Sequence, residues 1–401
     1  MEQVGHSGSG MTRAGAWPHP FAGKGQPPVC PLPGIAAPAA GESEWQAIAS
    51  AAADPNIFAE PWMVAAGLMC NEGKPPQLMI VRGADGEAIG AAMIQAAGHY
   101  GRLAIPHLRL WSHPNCFGAT VCAPHGREAE MWRALIPALA QGQRSALLLS
   151  LPGIVEHSAL HRGLAEAASA LGLALRTESR VTRALLQTDL DPDTYWEQAV
   201  RAKKRKELRR QWARLGEEGE LTVDRLAPGT DIAPWTEEFL ALEAAGWKGA
   251  NGSALASAPA TERFFREAMA AAHARNAVAI TALRLNGRAI AMLVTLLSGQ
   301  GGFSFKTAFD EAYARYSPGV LLQRESLSLL AGHRLRWIDS CAAQDHPMID
   351  SLWTGRRTVL TLALPLPGIR NRIAFDALHA ATRLWHGIKP KQPREAGRSP
   401  A

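Results

Sequence analysis

The sequence predicts a layered α/β fold of the α+β kind: two similar mixed-sheet domains in tandem, flanked by helices. Three observations predict it. The 401 residues exceed one small domain, and 47% of them are hydrophobic, enough for a sizeable core. Two hairpin signals occur far apart, each followed by the same order of elements. A Gly/Pro-rich start and a basic end bracket this repeat.

In chain order, residues 1–41 carry Gly and Pro without apolar periodicity and are expected to be disordered. Residues 61–69 read as a helix. Leu78-Met79-Ile80-Val81-Arg82 then leads through Asp85-Gly86 into Ala88-Ile89-Gly90-Ala91-Ala92-Met93-Ile94. Asp-Gly and Asn-Gly mark hairpins because tight turns need positive φ. The rest of this unit reads as helix 127–141, strand 146–151, helix 157–171 and strand 183–188. Later, helix 261–275 precedes strand 278–285, Asn286-Gly287 and Ala289-Ile290-Ala291-Met292-Leu293-Val294. Helix 318–331, strand 335–340, helix 346–353 and strand 358–364 complete the second unit. Between the units, residues 201–215 carry Leu208, Trp212 and Leu215 at helical spacing, so that stripe is expected to pack inward. Residues 389–401, with Pro and Arg, are expected to be loose.

Composition excludes several classes. The apolar stretch 289–297, with only Thr295 inside it, is too short for a membrane span of about 20 residues, and no basic-then-apolar leader opens the chain. Five cysteines without C-x2-C spacing and 13 histidines without a ligand cluster give no metal site and suit a reducing, cytoplasmic setting. The net charge of +6 is concentrated. Residues 201–214 hold eight Lys/Arg against one Glu, and residues 370–401 hold seven against two. A solvated face, a phosphate-contacting face for tRNA or a nucleotide donor, and attraction to an anionic membrane or polysaccharide all fit such a helix. No helix-turn-helix, zinc-finger or RNP motif points to DNA.

The stretch 303–322 bears most on chemistry. A strand with alternating aromatics ends at Lys306-Thr307, and after a loop Ser317-Pro318-Gly319-Val320 opens an apolar helix. Ser is a favoured N-cap and Pro a favoured first helical residue. The free N–H groups there, with Gly319 allowing close approach, would suit an anion, and Lys306 beside them a phosphate. A capped core helix without a ligand and an exposed lysine are the alternatives.

Lys306-Thr307-Ala308-Phe309-Asp310 with Tyr316-Ser317-Pro318-Gly319-Val320-Leu321-Leu322 resembles the GNAT-type acyltransferase domain of the FemAB/CelD-like group. Leu242-Glu243-Ala244-Ala245-Gly246-Trp247-Lys248-Gly249, the basic helix ending Leu208-Arg209-Arg210, and Asp345-His346-Pro347-Met348-Ile349-Asp350-Ser351-Leu352-Trp353 extend the likeness. It covers about residues 44–366 and implies two tandem GNAT-like domains. These are expected at 42–190 and 191–370, the second holding helix 201–215, with a basic tail at 371–401. The resemblance implies N- or O-acyl transfer to an amine or hydroxyl, with acyl-CoA (acetyl-CoA) as cosubstrate and no metal. CelD-like members imply exopolysaccharide or cellulose formation and a small-molecule, glycan or peptide-precursor acceptor. FemAB members imply aminoacyl-tRNA as the alternative donor. The junction has one glycine where acetyl-CoA-binding GNAT enzymes carry a Gly-x-Gly/Ala pair, which keeps a non-catalytic accessory protein as a third reading.

Acyl transfer needs a held acceptor, a base and donors for the developing oxyanion. No G-x-S-x-G elbow or cysteine motif is present, so direct attack in a ternary complex is expected. Asp310, Tyr316 and Asp345 are the candidate catalytic residues, with Glu243 and Asp339 as further bases; Asp310 also suits an Asx turn and Asp345 an N-cap. Lys306, Ser317, Pro318, Gly319 and Val320 are the candidate cosubstrate contacts. Trp247, Lys248, Arg209 and Arg210 are the candidate substrate contacts, Trp247 and Lys248 being expected in a turn between Gly246 and Gly249. Trp247 also suits a lid on the core, and His346 a first-turn helix residue.

Overall fold

The computed structural model describes residues 42–388 except Pro347. Residues 1–41 and 389–401, with the expected disordered start, the loose end and Cys30, lie outside the described residues.

The first half runs α1 (Glu42–Ser50), α2 (Pro61–Gly67), β1 (Gln77–Arg82), β2 (Ala88–Ala97), β3 (His107–Leu110), β4 (Val121–Cys122), α3 (Glu128–Gly142), β5 (Leu148–Val155), α4 (Ala159–Ala170) and β6 (Arg176–Leu186). Two helices, α5 (Pro192–Ala199) and the basic α6 (Ala202–Gly216), lead into β7 (Leu221–Arg225). There follow α7 (Ala233–Ala245), α8 (Trp247–Ala250), α9 (Pro259–His273), β8 (Val278–Leu285), β9 (Arg288–Ser298) and β10 (Gly301–Phe309). The chain then forms α10 (Pro318–Gln323), α11 (Glu325–Gly332), β11 (Trp337–Asp339), β12 (Gly355–Pro365) and α12 (Ile369–Ile388).

All strands among the described residues join one mixed sheet, ordered β1-β2-β3-β5-β12-β6-β11-β10-β9-β8-β7, with β4 on β2. The repeat is visible in this order. In the first half β1, β2 and β3 are antiparallel neighbours and β3 runs parallel to β5; in the second, β8, β9 and β10 are antiparallel and β10 runs parallel to β11. The last strands are exchanged. β12 pairs with β5, β6 pairs with β11, and the two pair with each other. The cores follow: Leu360, Leu362 and Leu364 of β12 pack with Trp132, Leu149 and Leu164, while Ala184 and Leu186 of β6 pack with Ile338, Leu352 and Trp353. Each half thus buries an apolar strand of the other, which ties them into one sheet.

The second hairpin is set by Asn286 (φ 49°) and Gly287 (φ 79°), the left-handed pair a two-residue turn requires. In the first, Gly86 alone has positive φ, at 82°, and the register shifts between Val81 and Arg82.

Three expectations are corrected. Residues 348–352 form turns, not a helix, although Ile349, Leu352 and Trp353 pack into the same core. On α6, Leu208 and Leu215 are buried but Trp212 is 40% exposed, so the inward stripe is narrower than expected. Trp247 and Lys248 open the one-turn helix α8, where a Cβ on Gly249 would lie 1.8 Å from the Ala244 carbonyl oxygen. The described part of the expected basic tail, residues 371–388, lies in helix α12, where Phe375 and Leu378 are buried.

Candidate active site

The site begins with β10. Its aromatics Phe303 and Phe305 pack among Phe58, Phe117 and Phe264, with ring centroids 5.3–6.3 Å apart. β10 pairs with β11 only from Gly301 to Phe303, opposite Trp337–Asp339, and the two then part. At that point the register of β10 against β9 slips between Ser304 and Lys306, one extra residue that makes a bulge. A bulge bends the strand and re-aims its side chains. Here it lies next to Lys306, just beyond the last residue of β10 that pairs with β11.

Lys306 Nζ donates to Asn115 Oδ1 at 2.6 Å and lies 5.5 and 5.4 Å from the rings of Phe117 and Phe305. Asn115 is only 7% exposed. Burial, reinforced by the nearby Lys248 charge, pushes the Lys306 ammonium down to about 8. Lys248 donates to Glu243 Oε1 at 2.7 Å and to the Thr307 carbonyl at 3.2 Å. Glu243 is buried, and its other oxygen accepts from the Leu255 amide at 2.8 Å. Gln323, buried on α10, donates to Thr307 Oγ1 at 3.3 Å and ties that helix to the strand. The loop after β11 brings His346 close. Its Nδ1 is buried without a hydrogen-bond partner, and burial foremost, with Lys248 adding, lowers its pKa despite Asp350.

Lys306, Lys248 and Glu243 are therefore brought together, with His346 under the influence of the Lys248 charge; the other candidates lie elsewhere. Ser317 holds the N-cap position of α10, but at φ 52° its side chain makes no cap bond, and its hydroxyl accepts from Gln211 Nε2 at 3.2 Å. It joins a 3-10 turn, residues 311–316, to α10 in the left-handed conformation. Pro318, Gly319 and Val320 are buried, and a Cβ on Gly319 would meet Met348 and Phe309 at 3.4–3.5 Å, so protein covers this helix end. Asp310 caps the turn through the Ala312 amide at 3.0 Å and pairs with Arg288 at 2.8 Å. Tyr316 donates to Glu218 at 2.5 Å, which, with burial, raises its pKa. Asp345 is exposed in a left-handed turn, contacted by Gln344 at 3.5 Å, and is not a helix N-cap. Trp247 is 46% exposed beside Lys248. Arg209 and Arg210 are exposed on α6, and Arg209 lines a pocket of about 350 Å³ with Trp196, Trp212 and Leu321. Asp339 is locked by Arg183 and Arg357.

Asn115 and Phe117 escape sequence reasoning because they come from the first half, 191 residues from Lys306 in the Asn115 case, with no motif around them. The cysteines Cys70, Cys116, Cys122 and Cys341 are free thiols whose pKa values are raised chiefly by burial, so none is poised as a thiolate. Among the described residues no group of His, Cys, Asp and Glu could hold a metal, and no helix is long and apolar enough to cross a membrane.

Residues 202–346 match the family model described as an acetyltransferase (GNAT) domain. No curated protein matches the sequence. Among solved structures, FemX is similar with a TM-score of 0.58 at 10% identity, over 84% of this chain and 98% of that one. A conserved protein of unknown function from Bacteroides thetaiotaomicron VPI-5482 gives 0.52 at 11% identity, over 84% and 100%. The C-terminal domain (DUF2156) of a putative lysylphosphatidylglycerol synthetase from Agrobacterium fabrum gives 0.50 at 13% identity, over 86% and 96%. Residues 202–346 are thus similar to a GNAT acetyltransferase domain, and the chain shares its tandem fold with FemX.

Proposed function

We propose that the chain transfers an acyl group to an amine or hydroxyl by direct attack in a ternary complex, with the reacting carbonyl in the cleft at Lys306. One observation carries this reading. A lysine at the β10 bulge, just past the end of the β10–β11 pairing, is held at 2.6 Å by Asn115 of the other half. The acceptor nitrogen or oxygen attacks the donor carbonyl carbon, and its proton passes to His346 Nδ1. The carbonyl becomes an oxyanion stabilised by the Lys306 ammonium, then re-forms as the thiolate or alkoxide leaves and takes the proton from His346. A preorganised cationic donor in such a site is worth about 3–4 kcal/mol. Lys248, fixed by Glu243, keeps the field positive, and Trp247 offers a stacking surface for a sugar or peptide-precursor acceptor.

Acyl-CoA is the first donor to test. Because the α10 tip is covered, its phosphates would be held by cationic side chains instead. A second reading takes aminoacyl-tRNA as the donor and is favoured by α6, whose Lys203, Lys206, Arg209, Arg210 and Arg214 are all exposed. The working units of both readings are residues 42–190 and 191–370. Free buried thiols fit a cytoplasmic enzyme, and the sequence resemblance favours exopolysaccharide or cellulose precursors as acceptors.

The test is acyl transfer with acetyl-CoA and, separately, with aminoacyl-tRNA, by wild type and Lys306→Ala. Turnover with either donor, lost in the variant, supports the reading and names the donor. No turnover with both, across amine and hydroxyl acceptors, leaves the accessory-protein reading in its place.

A further inference from the structure

A second polar centre lies in the seam where the exchanged strands meet, and acyl transfer makes no use of it. Arg183 on β6 and Arg357 on β12 are register partners, and both reach Asp339 at the end of β11. Arg183 is 1% exposed. Its Nε and Nη2 meet the two oxygens of Asp339 at 2.6 and 2.8 Å, and Nη2 also donates to the Phe117 carbonyl at 2.9 Å. Its Nη1 is buried with no hydrogen-bond partner. Arg357 donates to Asp339 Oδ2 at 3.2 Å, stacks 3.7 Å from the Trp337 ring, and makes no further hydrogen bond to a carboxylate among the described residues.

These groups line a pocket of about 100 Å³, room for one carboxylate or phosphate group. Two guanidinium groups face one carboxylate in the cluster, a surplus of one positive charge. Asp54 also lines the pocket, but its Oδ2 accepts from the Ala159 amide at 2.6 Å, at the positive end of α4. A buried cationic N–H with no acceptor is costly, and an anion in the pocket would supply what Arg183 lacks.

We propose that this seam pocket binds a small oxyanion, a carboxylate or phosphate group, through Arg183 Nη1 and the free edge of Arg357. Binding there is independent of whether Lys306 catalyses acyl transfer.

The experiment is calorimetric titration of the full-length protein with acetate and with inorganic phosphate, in chloride buffer at constant ionic strength. Wild type is expected to bind one equivalent of at least one anion. Arg357→Gln, which leaves the Arg183–Asp339 pair in place, should bind at least about tenfold more weakly. Arg357→Lys, which keeps the charge, should recover part of the loss and guards against a folding artefact. N-acetylglycine and glucose 6-phosphate then separate the sources. Their binding assigns a group on a larger molecule, and binding of the free ions alone assigns a free anion; both support the site. No saturable binding of either ion, equal binding by Arg357→Gln, or a phosphate-grown crystal with only water beside Arg183 Nη1 would overturn it.

Discussion

Lys306→Met keeps the length of the side chain and removes its charge. Folding carries the ammonium into surroundings that lower its pKa from 10.5 to about 8. At about 1.4 kcal/mol per tenfold change, that fall is worth roughly 3 kcal/mol against the folded state at neutral pH. The side chain is partly reachable by water, which reduces the figure to about 1–2 kcal/mol. Because the folded pKa is the lower one, the unfolded chain binds more protons between pH 8 and 10.5, and stability rises with pH across that window. The cost is full below about 8 and absent above 10.5. Lys306→Met should therefore be about 1–2 kcal/mol more stable than wild type at neutral pH, with the gap closing as the pH is raised, and about 100- to 1000-fold slower in acyl transfer. Urea titrations at neutral and alkaline pH, beside steady-state rates, read both effects. A variant less stable than wild type at neutral pH would refute the reasoning. The Asn115 bond and the two ring contacts would then outweigh desolvation, and Lys306 would be a structural residue.

Four other variants test separate parts of the account. Asp339→Ala leaves Arg183 buried beside Arg357 without its carboxylate and should cost about 3–5 kcal/mol in urea unfolding. Burial pushes the Asp339 carboxyl up, but Arg183 and Arg357 hold it below its ordinary 3.8, so wild type should keep this stabilisation above that pH and lose it on further acidification. Gly249→Ala brings a Cβ to 1.8 Å from the Ala244 carbonyl oxygen and should cost about 1–3 kcal/mol while displacing Lys248, seen as lowered melting and slower turnover. His346→Phe should abolish the acid limb of the pH–rate profile and slow transfer about 100-fold, while a profile unchanged in shape would remove His346 as the base. Arg209→Glu with Arg210→Glu should leave unfolding within about 0.5 kcal/mol of wild type, since both side chains are exposed, yet weaken binding of a polyanionic donor and flatten its salt dependence.

The hairpins, the order of elements and the repeat were legible because each rests on local chemistry. Asn286-Gly287 needs its left-handed pair wherever it sits, and apolar strands such as β9 announce burial by composition. Lys306 and Lys248 were legible as polar residues in apolar surroundings. Ser317 takes the N-cap position that Ser-Pro signals, but it also closes the preceding 3-10 turn at φ 52°, where its side chain does not cap. Trp212 was misread because helical spacing identifies a stripe without saying how wide a groove receives it. His346 was judged as part of a helix that does not form. The exchange of β6 and β12, and with it the Arg183–Asp339–Arg357 cluster, had no local sign. Pairing partners more than 150 residues apart are chosen by the whole sheet, and Asn115 reaches Lys306 for the same reason.

The central claim is that the Lys306 ammonium stabilises the reacting carbonyl, and the pH dependence of kcat/KM for acyl transfer by the wild-type protein tests it most directly. Activity should fall as the pH rises through about 8, where Lys306 loses its proton, and this limb should be missing from whatever activity remains in Lys306→Met. A profile that stays flat or climbs through that pH, or a variant that keeps the falling limb, contradicts the account.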